Sequence, residues 1–449
     1  MKKILLLGAG RSALSLIRYL FDQATAEKWQ ITIGDITVAH LRPLTEAVSF
    51  AQAIPFDVHN EAQRAQEVRK ADLVISLLPA AFHLEVAREC LKQGKNLITA
   101  SYVSPAILAL HQEAQEKNLT ILMESGLDPG IDHMSAMAVI RRIKAEGGRL
   151  TSFKSFTGGL VAPESDNNPW HYKFTWNPRN VVLAGQGTAK YIKEGQYKYI
   201  PYHKLFQRTD AFYVEGYGHF EGYANRDSLS YREPYELLDI PTMLRGTLRR
   251  PGYCEGWNVF VQLGLTDDSY ALSNSEHMTY RTFVESFLPP ASSPGQTMAT
   301  RISEYLGIPA DGEVVEKLEW LGLFDNTPVA LAGATPAQIL EKILKEKWTL
   351  APGDKDMIVM QHLFEYELQG ERREVTSSLV VTGEDEVQTA MAKTVGLPVG
   401  ILAKRMLQGK ITYRGVVIPI YPELYAPVLD ELEEYGIQFV EKERIVEHV

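Results

Sequence analysis

Cysteine is nearly missing from this 449-residue chain, which holds only Cys90 and Cys254, at no metal-ligand spacing. That excludes a disulfide framework or a zinc module and suits a reducing, cytoplasmic setting. Long hydrophobic runs are missing as well. None approaches the about 18 apolar residues of a membrane span, and the opening run Ile4–Leu7 stops at Gly8 with Arg11 close behind, too short for a signal peptide. There is no surplus of positive charge: 46 Lys and Arg stand against 56 Asp and Glu, the net charge is −10, and no basic tail is present. Nucleic acid and anionic membrane are thereby excluded as general partners, so any anionic ligand must meet a local arginine cluster. No P-loop, serine-centred elbow, internal repeat or His/Cys constellation is visible, and no metal is expected. What remains is a partner of small-molecule size.

Ile4–Leu7 reads as a strand buried on both faces. Gly8-Ala9-Gly10-Arg11-Ser12-Ala13 follows at once, a G-x-G-x-x-A turn into a helix carrying Leu14, Ile17, Leu20 and Phe21 on one face. Gly8 makes the tight turn, Gly10 admits a pyrophosphate to the backbone, and Ala13 keeps helix and strand close, so Gly8, Gly10, Arg11, Ser12 and Ala13 are the expected cradle of a dinucleotide. The second strand, Ile31–Ile33, ends in Gly34-Asp35. A carboxylate at that place contacts a ribose and repels a 2′-phosphate, which favours NAD over NADP. Further apolar runs end at Asp57, Leu78-Pro79, Ser101-Tyr102 and Leu127-Asp128, with helical segments between them. The alternation predicts an α/β fold, a Rossmann-type doubly wound parallel sheet with ligands at the carboxyl ends of its strands.

The rhythm changes in Glu124–Met137, where the Asp128-Pro129-Gly130 turn precedes a helix running from Ile131 to about Glu146 with Asp132 as its cap. The expected division is therefore a dinucleotide domain over 1–130, an α+β substrate-binding domain over 131–383, a helical return near 384–410 broken at Gly396-Leu397-Pro398, and a segment over 411–449 packed on the second domain. Ala162–Pro178 is polar, aromatic and proline-punctuated, as a ligand wall would be. Arg245 and Arg249 fall on one side of a predicted helix, either a solvated basic face or, with Arg226, an anion clamp. His362 lies on the apolar side of a predicted strand and reads as packed core.

Taken together, Leu5–Gly10, Asp72–Pro79, Thr99–Tyr102, Gly126–Met134, Gly158–Pro163, Asn168-Pro169, Tyr172–Phe174, Asn225–Ser228 and Leu244–Arg249 resemble the glutamate-forming saccharopine dehydrogenases and the matching part of the aminoadipic semialdehyde synthases. The resemblance implies NAD(P)-dependent oxidation of the carbon–nitrogen bond of saccharopine and hydrolysis of the imine to glutamate and 2-aminoadipate 6-semialdehyde. It also implies a cofactor site extended by Asp57, Leu78, Pro79, Ser101, Tyr102, Leu127, Asp128 and Gly130. The three carboxylates of saccharopine suit Arg226, Arg245 and Arg249, with Ser101, Tyr102, Asp128, Lys173, Thr175 and Thr247 as further contacts. Thr175 replaces the family's serine and keeps the hydroxyl. Asp128, oriented by Tyr102, is the expected proton-handling residue, although Asp132, His133 and Lys173 are also near that junction; a homodimer through the second domain's sheet fits the architecture. Two readings compete: reduction of a carboxynorspermidine- or homospermidine-type imine, whose more cationic substrate calls for an acidic pocket, and a non-catalytic dinucleotide sensor.

Overall fold

Short apolar runs followed by amphipathic helices give six strands in the first 122 residues: β1 (Lys2–Leu7), β2 (Trp29–Asp35), β3 (Ala51–Pro55), β4 (Leu73–Ser76), β5 (Asn96–Thr99) and β6 (Thr120–Leu122). The computed structural model describes residues 1–446, apart from the side chain of Arg11. After the helix Ile131–Ala145 the chain turns to strands: β7 (Arg149–Val161), β8 (Ala189–Lys193), β9 (Gln196–Ile200), β10 (Thr209–Val214), β11 (Gly218–Ala224), β12 (Thr242–Arg249), and the hairpin of β13 (Asp356–Leu368) and β14 (Glu371–Thr382). A helix Ala390–Leu407, strand β15 (Gly415–Val417), a helix Pro422–Glu434 and strand β16 (Val440–Val446) follow.

The chain forms two units, Met1–Gly148 with Leu379–Val440, and Arg149–Ser378 with the end of the chain from Glu441. In the first, the order β15-β6-β5-β4-β1-β2-β3 is parallel throughout, so the strand order reverses between β1 and β4. Leu5 and Leu7 pack into one core with Val86, Ala87 and Cys90 of the helix His83–Gln93, while the helix Ala390–Leu407 packs on the opposite side against Leu14–Glu27, β4 and β5. Both faces are covered, which is why these strands are continuous apolar runs. This is the doubly wound sheet the sequence predicts.

The division of the chain differs from the predicted one in three places. The helix Ile131–Ala145 belongs to the first unit, where it packs against Pro422–Glu434; its buried Met134, Met137 and Ile140 need that partner. The segment after 410 also belongs there up to Val440. Val416 and Val417 are buried as β15 pairs with β6, Thr120 Oγ1 donates to the Tyr413 carbonyl at 2.6 Å, and only β16 joins the second sheet. Finally, Ala390–Leu407 runs unbroken through Pro398. A Cβ at Gly396 would stand 2.7 Å from the Leu16 backbone nitrogen, so this glycine marks close helix packing and not a helix end.

The second unit is a nine-stranded sheet, β10-β11-β12-β7-β13-β14-β16 with β8 and β9 added at β12. β12 pairs β7 in parallel, and β11 and β13 flank this pair in antiparallel sense. Its helical layer is built on rings: Trp170, Tyr172, Phe174, Tyr253, Trp257, Phe260 and Trp348 form one chain of edge and stacked contacts between 5.0 and 6.2 Å. The Ala162–Pro178 segment thus supplies core aromatics, and burial of these large rings fixes its path.

Candidate active site

In the first unit the predicted cofactor residues gather at the carboxyl edge of the parallel sheet. Gly8 has φ +89°, and a Cβ there would lie 2.8 Å from the backbone carbonyl of Leu77, so only glycine lets the turn nest against the end of β4. A Cβ at Gly10 meets nothing within 4 Å, which leaves the open space a pyrophosphate needs. Ser12 and Ala13 lie in a single 3-10 turn before the helix Leu14–Glu27. The Arg11 side chain lies outside the described residues.

Asp35 ends β2 with its carboxylate on the same turn: Oδ2 accepts Ala9 N–H at 2.7 Å and Oδ1 accepts Thr37 N–H at 3.0 Å. His40 Nε2 lies 3.0 Å from the Ala9 carbonyl, so both polar groups of that peptide are tied to the loop after β2. Leu78 and Pro79 follow β4 beside Gly8. Asp57 stands apart, at the end of the outer strand β3, where Oδ1 accepts His59 N–H at 3.0 Å in a local turn.

Beyond β5, the Tyr102 hydroxyl donates to Asp128 Oδ1 at 2.8 Å. Tyr102 is 42% exposed and Asp128 half-buried, so the predicted pair exists and faces outward. The Asp128-Pro129 bond is cis. Gly130 closes this turn with φ +150°, where a Cβ would fall 2.0 Å from the Gly126 carbonyl oxygen, and its N–H donates to Asp132 Oδ1 at 2.6 Å. Leu127 is buried beneath the turn.

Two buried groups that sequence reasoning gave no structural part support this edge. Glu124 Oε1 accepts Val103 N–H at 2.9 Å, while Oε2 meets His133 Nε2 at 2.7 Å with both side chains buried. The Ser101–Val103 loop is thereby pinned to the start of the helix Ile131–Ala145. His83 is the other, bonded to Ser101. Neither has a motif; a buried histidine bonded across to the end of the neighbouring strand is invisible in spacing alone.

In the second unit the arginines lie on a strand, not on the predicted helix. Arg245, Thr247 and Arg249 still share a face, because side chains alternate along β12 with Leu244, Gly246 and Leu248 opposite. In register beside them stand Ser155 and Thr157 of β7 and Tyr223 of β11. His362, buried as expected, bonds Ser155 Oγ through Nδ1 at 3.0 Å. Arg245 lies 4.2 Å above the Tyr231 ring. Arg226 is exposed on the loop after β11, which joins β12 where Asn225 N–H donates to the Arg245 carbonyl at 2.8 Å.

Arg249 is 4% exposed and ringed by Tyr172, Tyr223 and Tyr253 at 5.1 to 5.8 Å. Among the described residues it forms no ion pair. Its Nη1 donates to its own strand at the Leu248 carbonyl, 3.0 Å away, and its Nε has no partner. Glu221, opposite in register, instead accepts Cys254 N–H at 2.6 Å. Burial alone would lower the Arg249 pKa, but the tyrosine oxygens carry it above its ordinary value, and burial pushes Tyr172 up to about 12 against the pull of Arg249. The guanidinium therefore keeps its charge in this buried setting.

Lys173 does not share this character. Its ammonium bonds Asp354 Oδ2 at 2.6 Å with both groups buried, so its charge is already matched within the chain. Thr175 Oγ1 and Thr157 Oγ1 are buried without a partner among the described residues and remain able to bond a ligand. No group of three or more His, Cys, Asp or Glu among the described residues is arranged to hold a metal, and no described helix is long and apolar enough to cross a membrane.

Comparison with known proteins matches both units. Residues 4–122 fit the saccharopine dehydrogenase NADP binding domain and residues 126–437 the saccharopine dehydrogenase C-terminal domain. The chain is 34% identical to saccharopine dehydrogenase [NADP(+), L-glutamate-forming] of Pyricularia oryzae over 98% of this chain and 99% of that one. It is 35% identical to the mitochondrial alpha-aminoadipic semialdehyde synthase of Mus musculus over 98% of this chain and 47% of that longer protein. The solved apo saccharopine dehydrogenase (L-Glu forming) of Saccharomyces cerevisiae superposes with a TM-score of 0.88 at 31% identity, covering 99% of this chain and all of that one. With a doubly wound dinucleotide cradle in one unit, a buried arginine face in the other, and full-length relatives at this identity, the chain belongs to the saccharopine dehydrogenase family.

Proposed function

We propose that this protein interconverts saccharopine with L-glutamate and 2-aminoadipate 6-semialdehyde, using NAD or NADP. The observation that carries the reading is Arg249, a buried guanidinium with no carboxylate partner among the described residues, on one strand face with Arg245. A tricarboxylate supplies the missing anion; a polyamine adduct would want acids there, and a sensor would have no use for a buried cation without a counter-charge. Thr175, Thr157 and Thr247 offer hydroxyls to the same substrate, and Arg226 a further cation.

The dinucleotide, when bound, supplies the hydride acceptor; Gly8, Gly10, Ser12 and Ala13 would hold its pyrophosphate and Asp35 its ribose. Because nitrogen leaves with glutamate and the aldehyde forms on the other carbon, the hydride departs from the lysine-derived carbon. The secondary amine loses its proton, water adds to the resulting imine, and the carbinolamine splits into the two products. Asp128, bonded by Tyr102, takes the proton in this reading, and Ser101 is the adjoining hydroxyl. Asp35 supports NAD, since its carboxylate beside the glycine turn repels a 2′-phosphate, whereas the Pyricularia oryzae relative is named for NADP(+).

The reading also includes a cytoplasmic setting, supported by two buried unpaired thiols, and a homodimer, supported by exposed Tyr197, Tyr199 and Tyr213 on strands of the second sheet. Sedimentation measures the oligomeric state. The test of function is a steady-state assay with saccharopine and each cofactor: saccharopine-dependent reduction of NAD is expected. No reduction of either cofactor sinks the proposal, and a clear preference for NADP removes the role given to Asp35.

A further inference from the structure

His83 opens the helix His83–Gln93 and is 1% exposed beneath the carboxyl ends of two neighbouring strands. Its Nδ1 lies 3.0 Å from Oγ of Ser76, the last residue of β4. Its Nε2 lies 2.7 Å from Ser101 Oγ, just past β5, and 3.3 Å from Oγ1 of Thr99, the last residue of that strand. One imidazole therefore ties together the strand ends beside the reversal point of the sheet. Burial pushes its pKa down to about 4, so near neutral pH the ring carries one N–H and one lone pair.

The three hydroxyls are not equivalent. Ser76 and Thr99 are fully buried, and Thr99 Oγ1 already accepts Ser101 N–H at 3.3 Å. Ser101 alone is half-buried and able to meet a ligand. A free serine hydroxyl samples several rotamers; one anchored at 2.7 Å on a ring nitrogen has its oxygen fixed and its remaining bonding directions set. We propose that His83 is a positioning residue that holds the Ser101 hydroxyl in one orientation for the bound dinucleotide, an inference that rests on the assignment of Ser101 given above.

The experiment is a double-mutant cycle read by NADH binding, through its fluorescence, without substrate. His83→Phe keeps a ring and removes both bonds; Ser101→Ala removes the hydroxyl. Each single variant is expected to weaken binding about 5-fold, the worth of one ordinary hydrogen bond, and the double variant by no more than either alone. His83→Gln, which keeps a donor and an acceptor, should restore part of the loss. Fully additive losses, or wild-type binding in His83→Phe, would overturn the proposal. Nitrogen NMR of the wild type gives a reading that does not depend on a variant folding. One His83 tautomer is expected, with an Nε2 shift that changes in Ser101→Ala; a ring exchanging between tautomers contradicts the anchoring. Turnover of saccharopine with an additive cycle rejects this inference alone, while intact coupling without turnover rejects only the proposed function.

Discussion

Replacing Arg249 by methionine separates a binding arginine from a structural one. In the folded chain the guanidinium is buried, unpaired with any carboxylate among the described residues, and held by three tyrosine rings at 5.1 to 5.8 Å and one bond to its own strand. Methionine has nearly the same length. The variant gives up cation–π contacts of about 0.5–2 kcal/mol each, but it also removes the several kcal/mol cost of holding an ion out of water. Stability should therefore stay level or rise, with a melting temperature within about 4 °C of wild type, because roughly 1 kcal/mol shifts a unit of this size by 2–4 °C. Activity should move the other way. A charge-assisted bond to a substrate carboxylate is worth about 1.5–3 kcal/mol, so kcat/KM for saccharopine should fall by about 10- to 150-fold, at 1.36 kcal/mol per tenfold. Arg249→Lys keeps the charge without the planar fork and should recover part of it. Calorimetry and steady-state kinetics on the same preparations decide the matter. A variant that melts well below wild type yet turns over saccharopine normally would show Arg249 to be a packing residue and refute the argument.

Three further outcomes follow from the geometry. Asp35→Ser removes the carboxylate from the glycine turn and should shift the NADP-to-NAD ratio of kcat/KM toward NADP by about tenfold or more, since one repulsion of about 1.4 kcal/mol suffices; an unchanged ratio dissociates Asp35 from cofactor choice. Glu124→Gln removes the carboxylate that holds His133 and weakens the hold on Val103, and a poorly satisfied buried hydrogen-bond partner costs about 1–3 kcal/mol, so urea unfolding should shift to lower denaturant and kcat should drop with the loosened Tyr102. The pH dependence has a definite sign at His83. Its folded pKa of about 4 lies below the ordinary histidine value of about 6.5, so the unfolded chain binds the extra proton more readily. Its contribution to stability is complete above about pH 6.5 and is lost as pH falls toward 4, on the order of 3 kcal/mol in all. Unfolding curves for wild type and His83→Phe should converge across that window; parallel curves would show that another group sets the acid limb.

The architecture of the first unit was legible because two physical rules act there at short range. A strand buried on both faces must be apolar throughout, as Ile4–Leu7 is, and a turn that nests against a neighbouring strand must be glycine, as Gly8 is against Leu77. The limits of the units were not legible, because they depend on contacts far apart in sequence. Ile131–Ala145 follows a sharp turn, which looks like a boundary, but its apolar residues find their partners in Pro422–Glu434, nearly 300 positions later. Pro398 misled in the opposite direction: a proline within an exposed helix often ends it, but a helix docked on Leu14–Glu27 through Gly396 has enough packing to continue.

For the site, residue types were more legible than local conformations. Four-residue spacing puts Arg245 and Arg249 on one side of either a helix or a strand, so the shared face survived the change from predicted helix to observed β12. What spacing cannot supply is the counter-charge. Lys173 and Arg249 looked alike as cations in aromatic surroundings, and only the fold separates them: Asp354, 181 positions from Lys173, closes a buried ion pair at 2.6 Å, while Glu221 opposite Arg249 is spent on a backbone N–H. A folded chain tolerates a buried cation left unmatched only where something else repays the desolvation. The three tyrosines repay part of it in the free protein, and in the proposed function the charge of a carboxylate-bearing substrate supplies the rest. We read the contrast between two of its buried cations, Lys173 and Arg249, as one charge closed by the chain and one left for a ligand.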